Sequence, residues 1–479
     1  MDRMKGMTLE AVTRACEGTY YGDRSVFQQE ICGAVIDSRK VERGFLFIPI
    51  KGERVDGHDF IPQVLEQGAL AVLSEKQLPE ELGPYILVDS TEQALKRIAG
   101  FYRNSLGIPV VGISGSVGKT STKEMIASVL EQHFRVHKTA GNFNNEIGLP
   151  LTILGIRSGH EVAVLEMGIS DFGEMERLSA LACPNVAVIT NIGCCHLENL
   201  IDRDGVLQAK TEMFHHLAEH AAVILNGDDD KLMTKKQVQD REVIFYSVSE
   251  QKEQTAQIFA TDVKNLGFEG MEACIHTPQG SFEAKIAIPG EHNVYNALSA
   301  TAVGLELGLN LEEITAGIAV ARTIAGRTNF MRAKGKIVID DCYNANPMSM
   351  KSSLDTLSHA AGRTIAVLGD MGELGANERA LHYEVGTAVA EKGIHTLFCA
   401  GELAEEYEKA CRARAQELGC DCNVMRFKTV DSMLPELTSY VKEGDSVLVK
   451  ASHFMNFGKV VEALTKQDES ITLQSDNYK

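Results

Sequence analysis

The sequence has no long apolar run. None of its hydrophobic stretches approaches the roughly 20 residues that a transmembrane helix needs, and the opening segment MDRMKGMTLEAV lacks the apolar core of a signal peptide. We therefore expect a cytoplasmic protein with no membrane insertion.

An excess of positive charge is also missing. The 47 lysines and arginines stand against 66 aspartates and glutamates, which gives a formal net charge of -19 at pH 7. Such a surface repels a nucleic-acid backbone at long range, so we expect no nucleic-acid partner. A small anionic ligand is still allowed, because a phosphate loop, a helix N-terminus or Mg²⁺ acts over a few ångströms.

Cysteine pairs with metal-site spacing are missing as well. Among the eleven cysteines, Cys194 and Cys195 are adjacent and Cys420 and Cys422 are close, but no CxxC pair is repeated at zinc-site spacing. Reduced thiols are the simpler interpretation.

The length and the alternating pattern of the chain predict an α/β protein. A length of 479 residues exceeds what one hydrophobic core usually serves. Strand-like runs such as VAVLEMG alternate with helix-length segments, and residues 246–288 have the pattern of added antiparallel strands. We predict a small N-terminal α/β domain over residues 1–105, a central P-loop ATPase-like domain with a mostly parallel sheet over 106–325, and a C-terminal Rossmann-like domain over 326–479. The last ten polar residues are not expected to fold.

The segment GISGSVGKTST, residues 112–122, indicates nucleotide binding. It follows an apolar strand and precedes an amphipathic helix, which is the context that a P-loop requires. Lys119 would reach the phosphates and the Thr120 hydroxyl would bind Mg²⁺. The strict pattern GxxxxGK[ST] needs glycine at Ile113, so the loop is a variant, and a chance glycine-rich turn is the alternative. The candidate ATP-binding residues here are Gly115, Ser116, Val117, Gly118, Lys119, Thr120 and Ser121.

Three further polar residues follow the next strands of the predicted central sheet. Glu166 ends one strand, His196 follows another, and Lys210 lies on the helix after that. Ligands collect at this end of an open α/β sheet, so a shared functional site is one interpretation. A helix-cap acid, a buried histidine and a surface lysine are the alternatives. Mg²⁺ prefers oxygen ligands, which suits Glu166 and Thr120 but makes a histidine ligand unusual.

Longer motifs distributed over almost the whole chain resemble those of the Mur ligases of peptidoglycan synthesis. They are DSRKVERGFLFIPIKGERVDGHDF at 37–60, GISGSVGKTSTKEM at 112–125, GNFNNEIGLPLT at 141–152, LEMG at 165–168, TNIGCCH at 190–196, GEHNVYNALSA at 290–300, DDCYNANPMSM at 340–350 and VLGDMGELG at 367–375.

The resemblance implies a magnesium-dependent, ATP-using ligase of cell-wall synthesis. We also expect a monomer. Its substrates would be UDP-N-acetylmuramoyl-tripeptide and D-alanyl-D-alanine. A carboxylate attacked by an amine would have to expel oxide, whereas an acyl phosphate expels phosphate, so activation by ATP is the expected route. Charge neutralisation and positioning would supply the catalysis. The catalytic residues implied are Lys119, Glu166, His196 and Lys210.

The resemblance also implies the ligands of two Mg²⁺ ions and the substrate contacts. In the family the lysine that matches Lys210 is carbamylated; one ion would lie near Thr120 and Glu166, and the other near His196 and the carbamylated lysine. The alternative for Asn293 is a helix cap. The alternative for Asn144 and Asn145 is a plain loop role. The resemblance assigns Asn293, Asn296, Arg327 and Asp341 to ATP, and Ser38, Arg39, Asn144 and Asn145 to the UDP-muramoyl peptide.

One motif departs from the family pattern. Relatives usually have KGSR where residues 450–453 read KASH, and His453 lacks the fixed bidentate grip of arginine.

The sequence also allows three alternatives to this ligase function. They are a sister ligase with another amine substrate or a polyglutamate ligase, a catalytically silent nucleotide-binding paralogue, and a P-loop motor or GTPase.

Overall fold

The chain is described by a computed structural model over residues 3–249, 256–466 and 471–472. It divides into two compact units. The first unit comprises Met1–Ser114, His133–Val188 and Lys210–Val223, and the second comprises Gly115–Gln132, Ile189–Ala209 and Ile224–Lys479. Of the described helices, none combines the length and the hydropathy that crossing a bilayer requires.

The N-terminal sheet lies in the first unit, in the strand order β1-β5-β4-β3-β2, and it is parallel except for β1. All four residues of β4 are buried, as expected for a parallel strand covered on both faces. The longest helix of this region, α3, begins after Ser90, whose side chain accepts a hydrogen bond from the backbone N–H of Gln93. The elements are α1 Leu9–Ala15, β1 Thr19–Tyr21, β2 Gly33–Val35, β3 Phe45–Phe47, α2 Ile61–Glu66, β4 Ala71–Ser74, β5 Tyr85–Leu87 and α3 Thr91–Ser105.

The next part of the chain alternates strands and helices. Within the first unit the strand order is β9-β6-β8-β7, and β8 pairs in parallel with both β6 and β7. The apolar runs that predicted strands become β6, β8, β9 and β10, each with a largely buried sequence. The elements are β6 Val110–Ser114, α4 Lys119–Leu130, β7 Val136–Lys138, α5 Gly148–Leu154, β8 Val162–Glu166, α6 Glu174–Ala182, β9 Val186–Ile189, α7 Leu197–Leu200, α8 Arg203–Thr211 and β10 Ala222–Asn226.

In the second unit, the strands run in the order β15-β14-β13-β12-β10, and β11 pairs with β12. The prediction of antiparallel strands over 246–288 is confirmed for β13, β14 and β15, whereas β12 pairs with β13 in parallel. Helix α9 is buried along most of its length, because Ala, Ser, Gly and Val allow close packing on several sides. The elements are β11 Gln237–Val238, β12 Arg241–Ser247, β13 Ile258–Asn265, β14 Met271–Thr277, β15 Gly280–Ile286, α9 His292–Glu306 and α10 Leu311–Val320.

The third sheet also lies in the second unit and has the order β20-β19-β18-β21-β17-β16-β22. Strands β17 to β21 are parallel, and β18, β19 and β21 are fully buried between two apolar clusters. This confirms the predicted Rossmann-like arrangement. The elements are β16 Asn329–Ala333, β17 Lys336–Asp340, α11 Pro347–Ser358, β18 Thr364–Gly369, α12 Glu378–Glu391, β19 Thr396–Ala400, α13 Ala404–Leu418, β20 Asn423–Phe427, α14 Val430–Tyr440, β21 Ser446–Lys450, α15 Gly458–Thr465 and β22 Ile471–Thr472.

The three sheets confirm the predicted α/β class. The boundaries proposed at residues 105 and 325 stay predictions. Of the last ten residues, for which no folding was expected, only Ile471 and Thr472 are described, and they pair with β16. The others lie outside the described residues.

Candidate functional site

The glycine-rich loop leads into helix α4 through two glycines with left-handed backbone. Gly115 has φ +147 and Gly118, the residue before the helix, has φ +82. A Cβ at residue 115 would lie 2.0 Å from Oγ1 of Thr190, so a side chain has no room there. Lys119 begins the helix, and its Nζ donates a hydrogen bond to the Gly115 carbonyl at 2.8 Å. The loop therefore exposes a helix N-terminus together with a lysine ammonium group, which is the chemistry of a phosphate site.

The loop is held by the segment that follows β9. The backbone N–H of Ser116 donates to the Asn191 carbonyl at 3.0 Å, and that of Val117 donates to Asn191 Oδ1 at 2.9 Å. The Thr190 hydroxyl donates to the Val117 carbonyl at 2.6 Å. Thr190 and Asn191 thus fix the backbone of the loop. Both belong to the quoted motif TNIGCCH, but sequence reasoning gave them no role.

A cavity of about 340 Å³ opens in front of this loop, within the second unit. Its volume is at the lower end of the range for small-molecule sites. The cavity brings together the candidate ATP residues Ser116, Val117, Gly118, Lys119, Thr120, Ser121, Asn296, Arg327 and Asp341. Asn293 lines a smaller neighbouring cavity that also borders Ser121 and Arg327.

A hydrogen-bonded chain of side chains connects α4 with α9. The Thr122 hydroxyl donates to Asn296 Oδ1 at 2.7 Å, and Asn296 Nδ2 donates to Asn293 Oδ1 at 2.9 Å. Asn293 Nδ2 donates to the Pro289 carbonyl at 2.8 Å. Since α9 begins at His292, Asn293 lies inside the helix, and its side chain does not cap the first N–H groups. The two asparagines are therefore fixed in orientation beside the cavity.

Asp341 and Arg327 also line the cavity, and they belong to the region that follows α10. Oδ2 of Asp341 accepts hydrogen bonds from Lys450 Nζ and from the Ser353 hydroxyl, each at 2.6 Å, and its Oδ1 accepts from Thr328 N at 2.9 Å. Lys450 and Asp341 are 2% and 6% exposed, so this is a buried ion pair. Arg327 lies against an aromatic ring, with its guanidinium carbon 4.0 Å from the ring centroid of Tyr343.

His196 is not among the described residues that line this cavity. It has a left-handed backbone with φ +51, and its Nδ1 lies 2.6 Å from Oε2 of Glu373. This close contact with His196 lowers the pKa of the Glu373 carboxyl, against the opposing effect of burial. A carboxylate this close to Nδ1 favours a proton on that nitrogen and leaves Nε2 with its lone pair, which is the usual arrangement of a metal-binding histidine. Sequence reasoning did not identify Glu373, although it lies in the quoted motif VLGDMGELG.

The first unit holds Glu166 beside a predicted substrate residue. Asn144 Nδ2 donates to Glu166 Oε1 at 2.8 Å, and the Glu166 side chain is 1% exposed. The Asn145 side chain instead accepts from the backbone N–H groups of Ile147 and Gly148, at 3.2 and 2.8 Å, so it has the local turn role that was the alternative.

The first unit also contains Lys210 and the segment DSR, residues 37–39. Lys210 is 1% exposed, so the surface-lysine alternative is wrong. Ser38 and Arg39 form a 3₁₀ turn on the first unit. Arg39 makes a bidentate pair with Asp37, at 2.9 and 2.8 Å, and its side chain is 86% exposed. Hydrogen bonds from Arg39 lower the pKa of Asp37 to about 2.

Several cavity residues were missed by sequence reasoning. Asp228 and Asp229 lie shortly after β10, and the run of three aspartates that follows this strand was a readable signal. His292 directly precedes the predicted residue Asn293. Tyr246 and Tyr295 gave no signal, because their approach to the cavity depends on how β12 and α9 pack. The other missed residues are Thr190, Asn191, Asn226, Thr328, Asn344, Ala345, Asn346, Met348, Ser349, Ser352, Ser353 and Lys450.

Comparison with known families covers most of the chain. The model for the Mur ligase family catalytic domain matches residues 30–103, that for the Mur ligase middle domain matches 113–304, and that for the Mur ligase glutamate ligase domain matches 326–453.

Individual relatives match over nearly their whole length. The UDP-N-acetylmuramoyl-tripeptide–D-alanyl-D-alanine ligase of Bacillus subtilis is 37% identical over 444 residues, which are 91% of this chain and 94% of that protein. The crystal structure of MurF from Acinetobacter baumannii has a TM-score of 0.86 at 31% identity, covering 96% of this chain and 99% of that one. MurF from Thermotoga maritima in complex with ADP has a TM-score of 0.78 at 30% identity, covering 90% and 96%.

The folds and the sequences agree. This chain belongs to the Mur ligase family.

Proposed function

We propose that the chain is the ATP-dependent ligase that joins D-alanyl-D-alanine to UDP-N-acetylmuramoyl-tripeptide. The observation that carries the proposal is the cavity at the N-terminus of α4, into which Lys119, Thr120, Asn296 and Arg327 converge. The relatives named for this reaction and the ADP-bound neighbour support it.

The cavity would hold the nucleotide by its charges and its backbone groups. The N-terminus of α4 and the Lys119 ammonium group attract the phosphates. Arg327, stacked on Tyr343, supplies a second fixed cation at the same cavity. These groups favour the charge that develops when the tripeptide carboxylate attacks the γ-phosphate.

The second step is attack of the dipeptide amine on the acyl phosphate. Phosphate leaves as the tetrahedral intermediate collapses, so the carboxylate oxygen that attacked phosphorus departs with it. Positioning of the two reacting groups supplies much of the rate enhancement. Water must be excluded meanwhile, because it would hydrolyse the acyl phosphate.

Mg²⁺ fits the donor groups that the chain offers. Among the residues that the structure describes, no group of three or more His, Cys, Asp or Glu side chains forms a metal centre. Mg²⁺ commonly takes only one or two protein ligands and completes its shell with phosphate and water. We propose two ions, one with Thr120 and Glu166 as oxygen ligands and a second with His196 as a ligand through Nε2. Bound Mg²⁺ would neutralise phosphate charge during transfer.

Lys210 is proposed to be carbamylated. Lys210 is buried, and conversion of its ammonium group to a carbamate would turn it into an anionic oxygen ligand suited to Mg²⁺. Mass spectrometry under carbon dioxide, with Lys210→Arg as the control, would detect the added group. A sample that carries no carbamate and still turns over normally would exclude the role.

The substrate contacts are proposed for the first unit. The exposed guanidinium of Arg39 and the Ser38 hydroxyl suit the diphosphate of the UDP group. Asn144, oriented by its contact with Glu166, suits the muramoyl peptide. Asn145 stays a weaker candidate, since its amide oxygen already serves the local turn.

The segment KASH, residues 450–453, keeps the lysine of the family pattern KGSR as Lys450. Lys450 makes the buried pair with Asp341, and Ala451 is fully buried. The His453 ring lies 5.7 Å from the Tyr343 ring, on which Arg327 is stacked, so a permanent cation is close to this segment. These contacts keep a lysine and a permanent cation at the proposed nucleotide cavity, which supports an active ligase over a silent paralogue.

The test is phosphate release from ATP with UDP-muramoyl-tripeptide, with and without D-alanyl-D-alanine. We expect sustained release only when both are present, together with a new amide product. Release with another amino acid instead would indicate a sister ligase, and nucleotide binding without any release would indicate a silent paralogue. A cytoplasmic monomer is proposed as well, and light scattering coupled to size exclusion would measure the mass of the particle.

A further inference from the structure

We propose that His292 is a positioning residue that orients the Ser352 hydroxyl as a hydrogen-bond donor to the bound nucleotide. The inference rests on the proposed ATP site. Both residues line the cavity, His292 at the start of α9 and Ser352 on α11.

The imidazole of His292 has a polar neighbour at each nitrogen. Its Nε2 lies 3.0 Å from Asn293 Nδ2, and its Nδ1 lies 3.1 Å from Ser352 Oγ. The ring also packs over Gly290, where a Cβ would lie 2.5 Å from Cε1 of His292. The position of the ring is therefore fixed by both polar and steric contacts.

The direction of each hydrogen bond follows from the asparagine. Asn293 Nδ2 donates to the Pro289 carbonyl, and Asn293 Oδ1 accepts from Asn296, so the NH₂ group is the one that faces the ring. An amide NH₂ can only donate, so Nε2 of His292 accepts. In the neutral ring the proton is then on Nδ1, which donates to Ser352 Oγ.

The neutral ring is also favoured by its surroundings. Burial lowers the pKa of His292, and the neighbouring Lys450 acts in the same direction, whereas Asp341 and Asp355 oppose it. A protonated ring would place an N–H at Nε2 against the N–H of Asn293. The Nδ1–H tautomer is thus the form that satisfies both neighbours.

This tautomer determines what the Ser352 hydroxyl does. Its oxygen accepts from His292, and among the described residues it donates to no other acceptor, so its proton is available toward the cavity. The partner that fits is an acceptor oxygen of the nucleotide. His292 therefore acts through Ser352 rather than by touching the reacting atoms.

Matched variants separate this role from a purely structural one. Asparagine at position 292 retains a donor in place of Nδ1, whereas glutamine retains an acceptor in place of Nε2 and loses the donor. We expect Ser352→Ala and His292→Gln each to raise the Kd for ADP and the KM for ATP about tenfold, with kcat within about twofold. His292→Asn should lose no more than about threefold.

Two controls complete the experiment. Ser358→Ala, on the same helix, removes a hydroxyl that donates to the Asp355 carbonyl and should leave ADP affinity unchanged. The double variant His292→Gln with Ser352→Ala should be no weaker than Ser352→Ala alone, because both act on one contact.

Specific outcomes would overturn the inference. They are equal losses for His292→Asn and His292→Gln, an unaltered ADP affinity in Ser352→Ala, or additive losses in the double variant. If the wild-type protein itself binds no ADP, the proposed ATP site fails as well. If it binds ADP but the variants do not differ, only the role of His292 fails.

Discussion

Replacing Gly115 by alanine should inactivate the enzyme with little effect on the rest of the fold. The added Cβ would lie 2.0 Å from Oγ1 and 3.1 Å from the backbone N of Thr190, in a backbone conformation of φ +147 that side chains rarely adopt. Restoring ordinary contact, at about 3.4 Å, requires the loop to move by more than an ångström. A misplacement of this size can cost about a hundredfold in rate.

The assay is phosphate release together with ADP binding by calorimetry. We expect the Gly115→Ala protein to release phosphate at least about a hundredfold more slowly and to bind ADP more weakly, since the loop supplies the phosphate contacts. The matched control is Gly393→Ala, because Gly393 also has a left-handed backbone, with φ +64, but nothing lies within 4 Å of an added Cβ. It should lose about 1–2 kcal/mol of stability and retain turnover. Full activity of Gly115→Ala would refute the assignment of this loop.

Three further predictions concern charged groups. Lys119→Ala should lower turnover at least about a hundredfold while circular dichroism shows an intact fold, and near-normal turnover would contradict its role. Lys450→Met should lower the free energy of unfolding by roughly 3–5 kcal/mol, because it leaves the Asp341 carboxylate buried without its cation; an unaltered denaturant midpoint would contradict this. The pKa of Asp37 is lowered to about 2 by Arg39, so the pair persists above the ordinary value of 3.8 and is lost as pH falls through about 2. An NMR titration should show this midpoint, and Arg39→Ala should return it toward 3.8; no difference between the two would count against the pairing.

The architecture could be predicted from the sequence because strands and helices are specified by local sequence patterns. Apolar runs such as VAVLE and SVLVK are buried throughout, as parallel strands covered on both faces require, and the glycine-rich loop lies directly before α4 as the pattern predicts. Antiparallel pairing of β13 to β15 was also readable, whereas the parallel pairing of β12 with β13 depends on strand order rather than on local pattern.

The contacts that fix the candidate site could not be predicted from local sequence patterns, because they join residues that are far apart in the chain. Lys450 lies 109 residues from Asp341, and Asn191 lies 74 residues from the loop residue Val117 that it holds. Lys450 appeared in the sequence only as the first residue of KASH, with no partner to suggest burial. His196 shows the same limit, since its neighbour Glu373 comes from a distant motif and becomes apparent only in the fold.

The acyl phosphate is the central chemical claim, and transfer of isotopically labelled oxygen tests it most directly. UDP-muramoyl-tripeptide with a labelled terminal carboxylate would be turned over with ATP and D-alanyl-D-alanine, and the released phosphate would be analysed by mass spectrometry. The account predicts one labelled oxygen in each phosphate formed with a new amide bond. Amide product accompanied by unlabelled phosphate would contradict it.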